Sequence, residues 1–421
     1  MSKDRVCLVD ASLYIFRSWH ALPPDWRDRE GWPTHAAQGF TSFLLQLLEH
    51  PRPEFLAVCF DEALGSGFRH EIYPAYKANR EPADEALVRQ FAHCRAITRH
   101  LGISAHSDQR FEADDLIGSL ARLARPLFLV GGFVFYGLGV AIARYEGAAL
   151  DVTALLWGQL AVTAAQLMTH FANDTFDLAA DRANATPTRW SGGSRVLVEG
   201  LLSARVGLGA ALVSGAVALL AAVGVARVGA GGWAVALLLA SIALAWFYSA
   251  PPLRLHSRGL GELTVALIVP VLTPLVGYTI QQGAPGRLPL LAVAPLACFQ
   301  VAMILVINFP DAAGDHHAGK RTLVLRLGGE RAARLHVALL ALAYLMLPLL
   351  VLAGLPGIVA AAVLLPLPLA AWLAWRMARG DWRNPAAWNS LGFWSIGLLM
   401  ATAGLELIAF LVAWIGIPLP L

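Results

Sequence analysis

The sequence predicts an all-α membrane protein of about nine transmembrane helices, preceded by an incomplete soluble α/β domain. Of the 421 residues, 57% are hydrophobic and only 14% are charged, and the mean hydropathy is +0.58, far above a soluble globular average. From Pro126 onward, apolar runs of about the 20 residues needed to cross a bilayer follow one another. The stretch before Pro126 is polar and holds more than half of the 29 acidic residues. We therefore expect a soluble part over 1–122 and a membrane part over 123–421.

The soluble part has the pattern of a parallel α/β sheet. Two short apolar runs that each end in an acid, Val6–Asp10 and Phe55–Asp61, predict buried strands. Helical periodicity predicts a helix over Gln38–Leu48, and a second helix over Glu85–Gly102 closes on a glycine. Because Met1–Asp10 is too polar for a secretory signal, this part is expected to stay in the cytosol.

Acids are expected to gather at one edge of this sheet, since parallel sheets place sites at the carboxyl ends of their strands. Those that could jointly hold a divalent metal ion are Asp10, Asp61, Glu112, Asp114 and Asp115. Cationic and aromatic side chains that could hold a phosphate backbone are Arg69, Tyr76, Lys77 and Arg80.

The first part resembles the 5′-to-3′ exonuclease domain attached to bacterial DNA polymerase I. The resemblance rests on Leu8–Ser12, Phe68–Arg80 and Glu112–Gly118. In that family a further strand and a second acidic cluster should follow Arg122, whereas here the chain turns to the apolar run that starts at Pro126. The resemblance therefore implies a truncated domain without nuclease activity, and nucleic acid is not an expected partner.

The membrane part contains nine apolar runs of spanning length. They lie at about 126–143, 151–172, 205–226, 231–250, 261–281, 287–309, 333–354, 355–376 and 391–416. With the soluble part inside, the loops after spans two, four, six and eight hold about 14 Lys and Arg, against 3 in the opposite loops. This bias predicts a multi-pass protein of the cytoplasmic (inner) membrane, with the N-terminal part on the cytosolic side.

Acids at helical spacing close the second span. After Asn173, the residues Asp174, Asp177 and Asp181 stand at i, i+3 and i+7. If the helix continues through them, their carboxylates share one face. Like charges at such separations repel, so the pattern predicts a bound cation. Hard carboxylate oxygens suit Mg²⁺ that carries a phosphorylated substrate.

A second stretch repeats this spacing at the end of the sixth span, with Asn308, Asp311 and Asp315. Two such clusters predict one bipartite site on the cytosolic side. Solvated helix ends are the alternative, but a carboxylate near the hydrocarbon costs about 2.5 to 3.5 kcal/mol, and intramembrane acids usually mark function. Lys320 follows closely and is expected to neutralise a leaving diphosphate. Nothing in the predicted site comes from before Pro126.

The loop after the fourth span adds an aromatic side chain and two guanidinium groups. A Pro-Pro pair ends the helix after Tyr248 and is expected to present Tyr248, Arg254 and Arg258 on one face. We expect these residues and Arg321 to bind substrate. Positive-inside topology accounts for the arginines equally well, so that interpretation stays open.

Together these features resemble the UbiA superfamily of intramembrane aromatic prenyltransferases. Its first motif, NDxxDxxxD, corresponds to Asn173–Asp181 and its second, DxxxD, to Asp311–Asp315. The resemblance implies Mg²⁺ as cofactor, and a polyprenyl diphosphate, an aromatic quinone precursor and the lipid bilayer as partners. It implies that Lys320 assists departure of the diphosphate and that the metal ligands are Asp174, Asp177, Asp181, Asp311 and Asp315.

Three segments resemble the branch that prenylates 1,4-dihydroxy-2-naphthoate in menaquinone synthesis, namely Trp190–Gly200, Gly259–Glu262 and Gly319–Leu323. Transfer to 4-hydroxybenzoate, homogentisate, or a lipid or porphyrin alcohol is an alternative. An ion-coupled transporter is another, although its acids should lie deep within the spans. A membrane-tethered nucleic-acid-binding or 5′-nuclease protein is the last, and it has no need of five aligned carboxylates.

Overall fold

The computed structural model describes residues 6–50, 53, 55–61, 84–108 and 112–416. The chain folds into two compact units, 1–122 and 123–421. The segment that holds Arg69, Tyr76, Lys77 and Arg80 lies outside the described residues, so their predicted role stays a prediction.

The first unit contains a three-stranded parallel sheet in the order β1-β2-β3. The strands are β1 (Val6–Asp10), β2 (Phe55–Asp61) and β3 (Ser104–Asp108), and Asp10 pairs with Cys59 while Asp61 pairs with Asp108. The helices are α1 (Ala11–Ala21), α2 (His35–Glu49), α3 (Glu85–His100) and α4 (Ala113–Ala124). Both predicted strands and both predicted helices are confirmed. Strand β3 was not predicted, because its residues Ser-Ala-His-Ser-Asp are too polar to stand out as a buried strand.

The regular secondary structure in the described part of the second unit is all helical. Its first helices are α5 (Pro126–Tyr145), α6 (Val152–Phe176), α7 (Leu178–Ala183), α8 (Ala204–Arg227), α9 (Gly232–Ser249), α10 (Gly261–Leu267) and α11 (Thr273–Gln282). The remaining ones are α12 (Arg287–His317), α13 (Leu323–Leu327), α14 (Gly329–Leu345), α15 (Leu347–Leu352), α16 (Gly357–Leu364), α17 (Leu367–Ala378) and α18 (Pro385–Ile415). A short 3₁₀ helix, Leu255–Arg258, precedes α10, and a π-helical turn, Ile268–Leu272, joins α10 to α11.

Among the described residues, eight helical stretches are long and apolar enough to cross a membrane, and a ninth results if α16 and α17, bent by 43°, form one span. Large apolar side chains cover the outside of these helices, including Leu220, Leu345 and Leu352, which are 68%, 74% and 85% exposed. Exposed leucines on this scale suit lipid contact rather than water. The predicted all-α membrane fold with a small N-terminal α/β sheet is confirmed.

The centre of the bundle is packed with aromatic and aliphatic side chains. Phe135 of α5, Phe299 of α12 and Phe410 of α18 are almost completely buried in one cluster with residues of α14 and α16. Gly139 of α5 lies directly against the backbone of Pro274, where an added Cβ would clash. Such close backbone contact fixes how α5 and α11 cross.

Candidate active site

The structure joins the two acidic motifs through Lys320. The Nζ atom of Lys320 lies 2.9 Å from Oδ2 of Asp177 and 3.0 Å from Oδ1 of Asp315. All three side chains are nearly buried, with exposed fractions of 11%, 9% and 8%. Removing either carboxylate would leave a buried charge without full compensation, so this ion-pair network ties the end of α6 to the end of α12.

A glycine loop, residues 192–194, contacts the other three acids. The backbone N–H of its first residue donates to Oδ2 of Asp311 over 3.2 Å, and that of its last residue donates to the carboxylate of Asp174, also over 3.2 Å. A side chain at Gly193 would clash with a carboxylate oxygen of Asp181 and approach Oδ1 of Asp174 to 3.3 Å. Gly193 also has a φ of +72°, which favours glycine. The loop therefore gathers Asp174, Asp181 and Asp311 at one place.

The first motif does not lie on one continuous helix. Helix α6 ends at Phe176, Asp177 caps that end, and α7 begins at Leu178. The assumption of an uninterrupted helix through Asp181 is therefore wrong. The second motif does lie on one helix, because α12 continues through Pro310 to His317. Asp177 reaches Lys320 from the break between α6 and α7, so loop contacts replace helical periodicity in bringing these acids together.

Arg125 contacts an acid of the site, although no site residue was expected before Pro126. Its guanidinium donates to Oδ1 of Asp174, which is only 3% exposed. Arg125 caps the start of α5 in a left-handed conformation, with a φ of +48°. The expectation that nothing before Pro126 contributes is therefore wrong. The sequence contains the signal, a cation directly before the first span, but topology accounts for such a cation as well.

His256 holds the second oxygen of Asp177. Its Nε2 lies 2.6 Å from Oδ1 of Asp177, and its Nδ1 lies 2.6 Å from the carbonyl oxygen of Tyr248. The Asn173 amide donates to Oδ2 of Asp177 over 2.7 Å. Asp177 thus contacts side chains of three segments. Tyr248 and Asn173 were predicted as site residues but His256 was not, because a loop histidine carries no signal of its own.

Asn308 turns away from the acids of its own motif. Its amide donates to Oε1 of Glu262 over 2.9 Å, and Glu262 is 1% exposed. The amide beside Asp311 is that of Asn184, which donates to Oδ1 of Asp311 over 2.7 Å. Neither Asn184 nor Glu262 was predicted as a site residue.

The predicted substrate-binding arginines lie at the surface. Arg254, Arg258 and Arg321 are exposed, and the Arg258 guanidinium donates to the carbonyl of Pro252 over 2.9 Å. Their role in binding substrate stays a prediction. Tyr248 is half-buried and lines an apolar cavity beside the acids.

The acids differ in how their charge is compensated. Burial acts to raise the pKa of Asp177, but hydrogen bonding by His256 and the charge of Lys320 outweigh it and hold the pKa at about 2. Burial raises the pKa of Asp181 to about 7, and the neighbouring carboxylates of Asp177 and Asp174 act in the same direction. Burial acts to lower the pKa of Lys320, but the charges of Asp177 and Asp315 outweigh it, so its pKa lies above the ordinary value. Asp181 is thus the acid whose charge most needs an added cation.

The apolar cavity beside the acids has a volume of about 570 Å³. Arg125, Asn173 and Tyr248 line it near the acidic motifs. Its apolar lining includes Phe128, Leu238, Ile242, Met303, Ile304 and Met400. A volume of this size and lining suits a hydrophobic ligand with a polar end, because a few polar groups orient a molecule that apolar walls bury.

The donors at the acidic end fit Mg²⁺. Five carboxylates supply hard oxygens, and burial together with the charges of Asp177 and Asp174 outweighs the charge of Lys320 and raises the pKa of Asp181. Over the described ranges, no three His, Cys, Asp or Glu side chains are grouped closely enough to hold a metal ion by themselves. Mg²⁺ in proteins commonly uses one or two carboxylates and takes its other ligands from waters and substrate phosphates. The residues therefore fit Mg²⁺ that arrives with a diphosphate.

The acids of the first unit show a different arrangement. Asp10 caps α1 by accepting from the N–H of Ser12 over 2.9 Å, and Asp61 accepts from the N–H of Ala113 over 2.6 Å. Burial, and then the charge of Asp61, raises the pKa of Asp10. The carboxylates of β1 and β2 thus serve as caps and turn contacts in the described part of this unit. Among the described residues of this unit, no three His, Cys, Asp or Glu side chains are grouped closely enough to hold a metal ion, so the metal site suggested by the sequence is not observed.

Comparison with known proteins separates the same two parts. Residues 5–129 match the family described as 5′-3′ exonuclease, N-terminal resolvase-like domain, and residues 132–416 match the UbiA prenyltransferase family. The first part is 42% identical over 128 residues to DNA polymerase I of Rhizobium leguminosarum, which covers 29% of this chain and 12% of that protein. DNA polymerase I of Pseudomonas aeruginosa is 41% identical over 136 residues, covering 31% of this chain and 15% of that protein. The chain thus spans only about an eighth of the length of these relatives.

The second part is similar to a solved structure. A UbiA homologue from Archaeoglobus fulgidus, solved with GPP and Mg²⁺, aligns with a TM-score of 0.50 and 18% identity, covering 70% of this chain and 99% of that one. At this identity the likeness concerns the fold. Both resemblances inferred from the sequence are confirmed.

Proposed function

Because the chain belongs to the UbiA prenyltransferase family, we propose that it transfers a polyprenyl group from a polyprenyl diphosphate to 1,4-dihydroxy-2-naphthoate, with Mg²⁺ as cofactor. One observation carries the chemistry: Lys320 bridges Asp177 and Asp315, so both acidic motifs meet beside the apolar cavity. Binding of GPP and Mg²⁺ by the Archaeoglobus fulgidus homologue supports the choice of donor and metal. The segments Trp190–Gly200, Gly259–Glu262 and Gly319–Leu323 support the choice of acceptor.

The reaction follows from where charge develops. The metal ligands would be Asp174, Asp177, Asp181, Asp311 and Asp315, and bound Mg²⁺ would neutralise the diphosphate. Lys320 donates hydrogen bonds to the diphosphate as the allylic C–O bond breaks and negative charge moves onto the leaving oxygen. The electron-rich ring carbon of the acceptor then attacks the allylic carbon, and loss of a proton or of CO₂ restores aromaticity. The apolar walls hold the isoprenoid tail and exclude water that would otherwise trap the cation.

Nitrogen donors of the chain itself keep the acids of the site close together. Lys320, Arg125 and His256 pair with carboxylates that would otherwise repel one another at short range. When a diphosphate binds with its metal, these donors can donate to phosphate oxygens from the positions that they already occupy. Such preorganised groups need no rearrangement at the moment of bond breaking.

The deciding experiment supplies membranes containing the protein with Mg²⁺, a labelled polyprenyl diphosphate and single acceptors. A lipid product whose mass equals prenylated 1,4-dihydroxy-2-naphthoate, before or after loss of CO₂, is the expected result. If product forms only from 4-hydroxybenzoate, homogentisate, or a lipid or porphyrin alcohol, the proposed acceptor is wrong but prenyl transfer itself is supported. Chelation of Mg²⁺ with EDTA should abolish turnover, and added Mg²⁺ should restore it.

Both acidic motifs are predicted to face the cytosol, since about 14 of the cations lie in loops on that side against 3 on the other. Cysteines introduced at Ala185 and at His317, both exposed, should resist an impermeant thiol reagent added outside intact cells. A cysteine at Ala284, exposed in an opposite loop, should react and serves as the matched control. Labelling at 185 or 317 above that of the parent chain would refute this sidedness.

The prenyl-transfer domain is proposed to begin at Leu123. A chain that starts there should insert and transfer prenyl groups about as well as the full chain, because the site uses Arg125 and later residues. Arg125→Ala in the same shorter chain should lower kcat/KM about 10- to 100-fold, since Asp174 loses a charged hydrogen-bond partner.

The isolated segment 1–122 is the other half of this experiment. It should show no Mg²⁺-dependent cleavage of flapped or nicked DNA, because the resemblance implies a truncated nuclease domain. Loss of transfer in the chain from Leu123, or robust cleavage by segment 1–122, would show that the first part contributes chemistry.

A further inference from the structure

Glu262 is a buried acid that the reaction does not use. It lies in the first turn of α10 and is 1% exposed. Its Oε1 accepts from the Asn308 amide over 2.9 Å and from the backbone N–H of Leu323 over 2.8 Å. Its Oε2 is buried without a hydrogen-bond partner in the described part of the chain. Burying this carboxylate with one oxygen unpaired destabilises the fold, so a compensating role is expected from its other contacts.

The two donors to Glu262 belong to segments that flank Lys320. Asn308 lies on α12, seven residues before Asp315, and Leu323 begins α13, three residues after Lys320. Between them the chain makes a turn in which the N–H of Lys320 donates to the carbonyl of Asp315 over 2.9 Å. Glu262 therefore ties together both sides of the turn that presents the ammonium group.

The segment that carries Glu262 is itself packed on this turn. The N–H of Arg321 donates to the carbonyl of Ser257 over 2.9 Å, and the Arg326 side chain donates to the carbonyl of Arg258 over 2.5 Å. A side chain at Gly259 would clash with Arg326 and approach the carbonyl of Arg321 to 2.7 Å. The two segments are in close contact at these positions, and Glu262 is a buried acid within that contact.

We infer that Glu262 is a positioning residue: its Oε1 holds the 318–323 turn so that Lys320 stays between Asp177 and Asp315. This inference rests on the proposed function for the role of Lys320 in catalysis. Its structural content, the fixed position of the Lys320 amine, can be measured without any turnover.

The sequence offers a specific probe of that amine. Lys320 is the only lysine after Lys77, so amine acylation followed by peptide mass spectrometry reports on Lys320 alone in the membrane part. In the purified full-length protein, its acylation by acetic anhydride should be slow, because the side chain is 11% exposed and its amine is paired with two carboxylates. Glu262→Ala should raise the acylation rate at Lys320 about tenfold, the effect of losing hydrogen bonds to a charged acceptor.

Two further variants separate positioning from charge and from misfolding. Glu262→Gln keeps a carbonyl oxygen that can accept both hydrogen bonds, so it should retain slow acylation and most activity. Leu323→Pro removes one of the two donors at the first residue of a helix, a position that tolerates proline, so it should speed acylation even if Glu262→Ala does not insert. The matched control is Glu406→Gln, a change at a fully buried acid of α18 that should leave Lys320 acylation unchanged.

Kinetics give the second readout. Glu262→Ala should lower kcat about tenfold in the native background and should add nothing in a Lys320→Met background, because the two residues act through one group. Unchanged acylation in Glu262→Ala, fast acylation in Glu262→Gln, or additive losses in the double variant would each overturn the inference. Full activity of Lys320→Met alone would instead overturn the proposed role of Lys320, while the acylation result would still test the position of the turn.

Discussion

Replacing Asp174 or Asp311 by alanine is expected to abolish prenyl transfer, with a loss on the order of 10³-fold or more, while the protein still inserts in the membrane. Each change removes a proposed metal ligand from one of the two motifs. Asp311 accepts from the Asn184 amide over 2.7 Å and from the N–H of Gly192 over 3.2 Å. Asp174 accepts from Arg125 and from Ser194. Alanine therefore also releases the contacts that hold the 192–194 loop.

The asparagine variants separate charge from shape. Asp311→Asn keeps the size of the side chain but presents an NH₂ group to one of two donors, and it removes the negative charge. We expect it to lose nearly as much activity as alanine. Initial rates with a labelled polyprenyl diphosphate, normalised to protein in washed membranes, measure the effect. The control is Asp151→Asn at the start of α6, where the acid caps a helix over 2.9 Å and asparagine caps equally well. Near-normal turnover in either motif variant would contradict a shared site.

Removing the Lys320 amine is expected to have the next largest effect. Lys320→Met keeps the length of the side chain and should lower kcat about 100-fold, because it removes a preorganised donor from the place where negative charge develops. The same change should not weaken the binding of Mg²⁺. The change leaves Asp177 and Asp315 without their shared cation, so the site becomes more negative and the Mg²⁺ concentration for half-maximal rate should not rise.

This split between kcat and metal requirement distinguishes catalysis from structural support. A collapsed site would lose both rate and metal affinity. Lys320→Arg should not restore the rate fully, because a planar guanidinium cannot occupy the position of a compact ammonium between two carboxylates. Arg331→Met, a change at an exposed cation near the start of α14, serves as the control and should leave the rate unchanged. A normal kcat in Lys320→Met would remove this residue from the mechanism.

Much of the fold follows from local sequence properties. The membrane spans could be predicted because each one must be apolar over its own length, whatever it packs against. The first span was predicted to start at 126, where α5 begins. The span predicted at 261–281 corresponds to α10 with α11, and the span predicted at 287–309 begins where α12 begins. The span predicted at 355–376 is less regular, since α16 and α17 are bent by 43° beside Pro366. Proline indicates where a helix bends but does not indicate by how much.

The acidic motifs were visible in the sequence for the same local reason. A carboxylate beside an apolar run is costly, so Asp174, Asp177 and Asp315 stand out without any knowledge of their neighbours. The sequence also contained Lys320 close behind the second motif. Residue types and spacings were therefore enough to predict a prenyltransferase and to propose which two stretches hold its substrate.

The tertiary structure alone decided how these groups meet. Asp177 and Lys320 are brought together by packing of α6 against its neighbours and by the loops between helices, and the break at Asp177 replaces the expected continuous helix. Arg125, His256 and Glu262 were not predicted as site residues from the sequence. Their roles depend on distances to residues tens of positions away, such as Arg125 to Asp174 and His256 to Asp177. Such contacts arise from the packing of the whole bundle, and no local periodicity or composition encodes them.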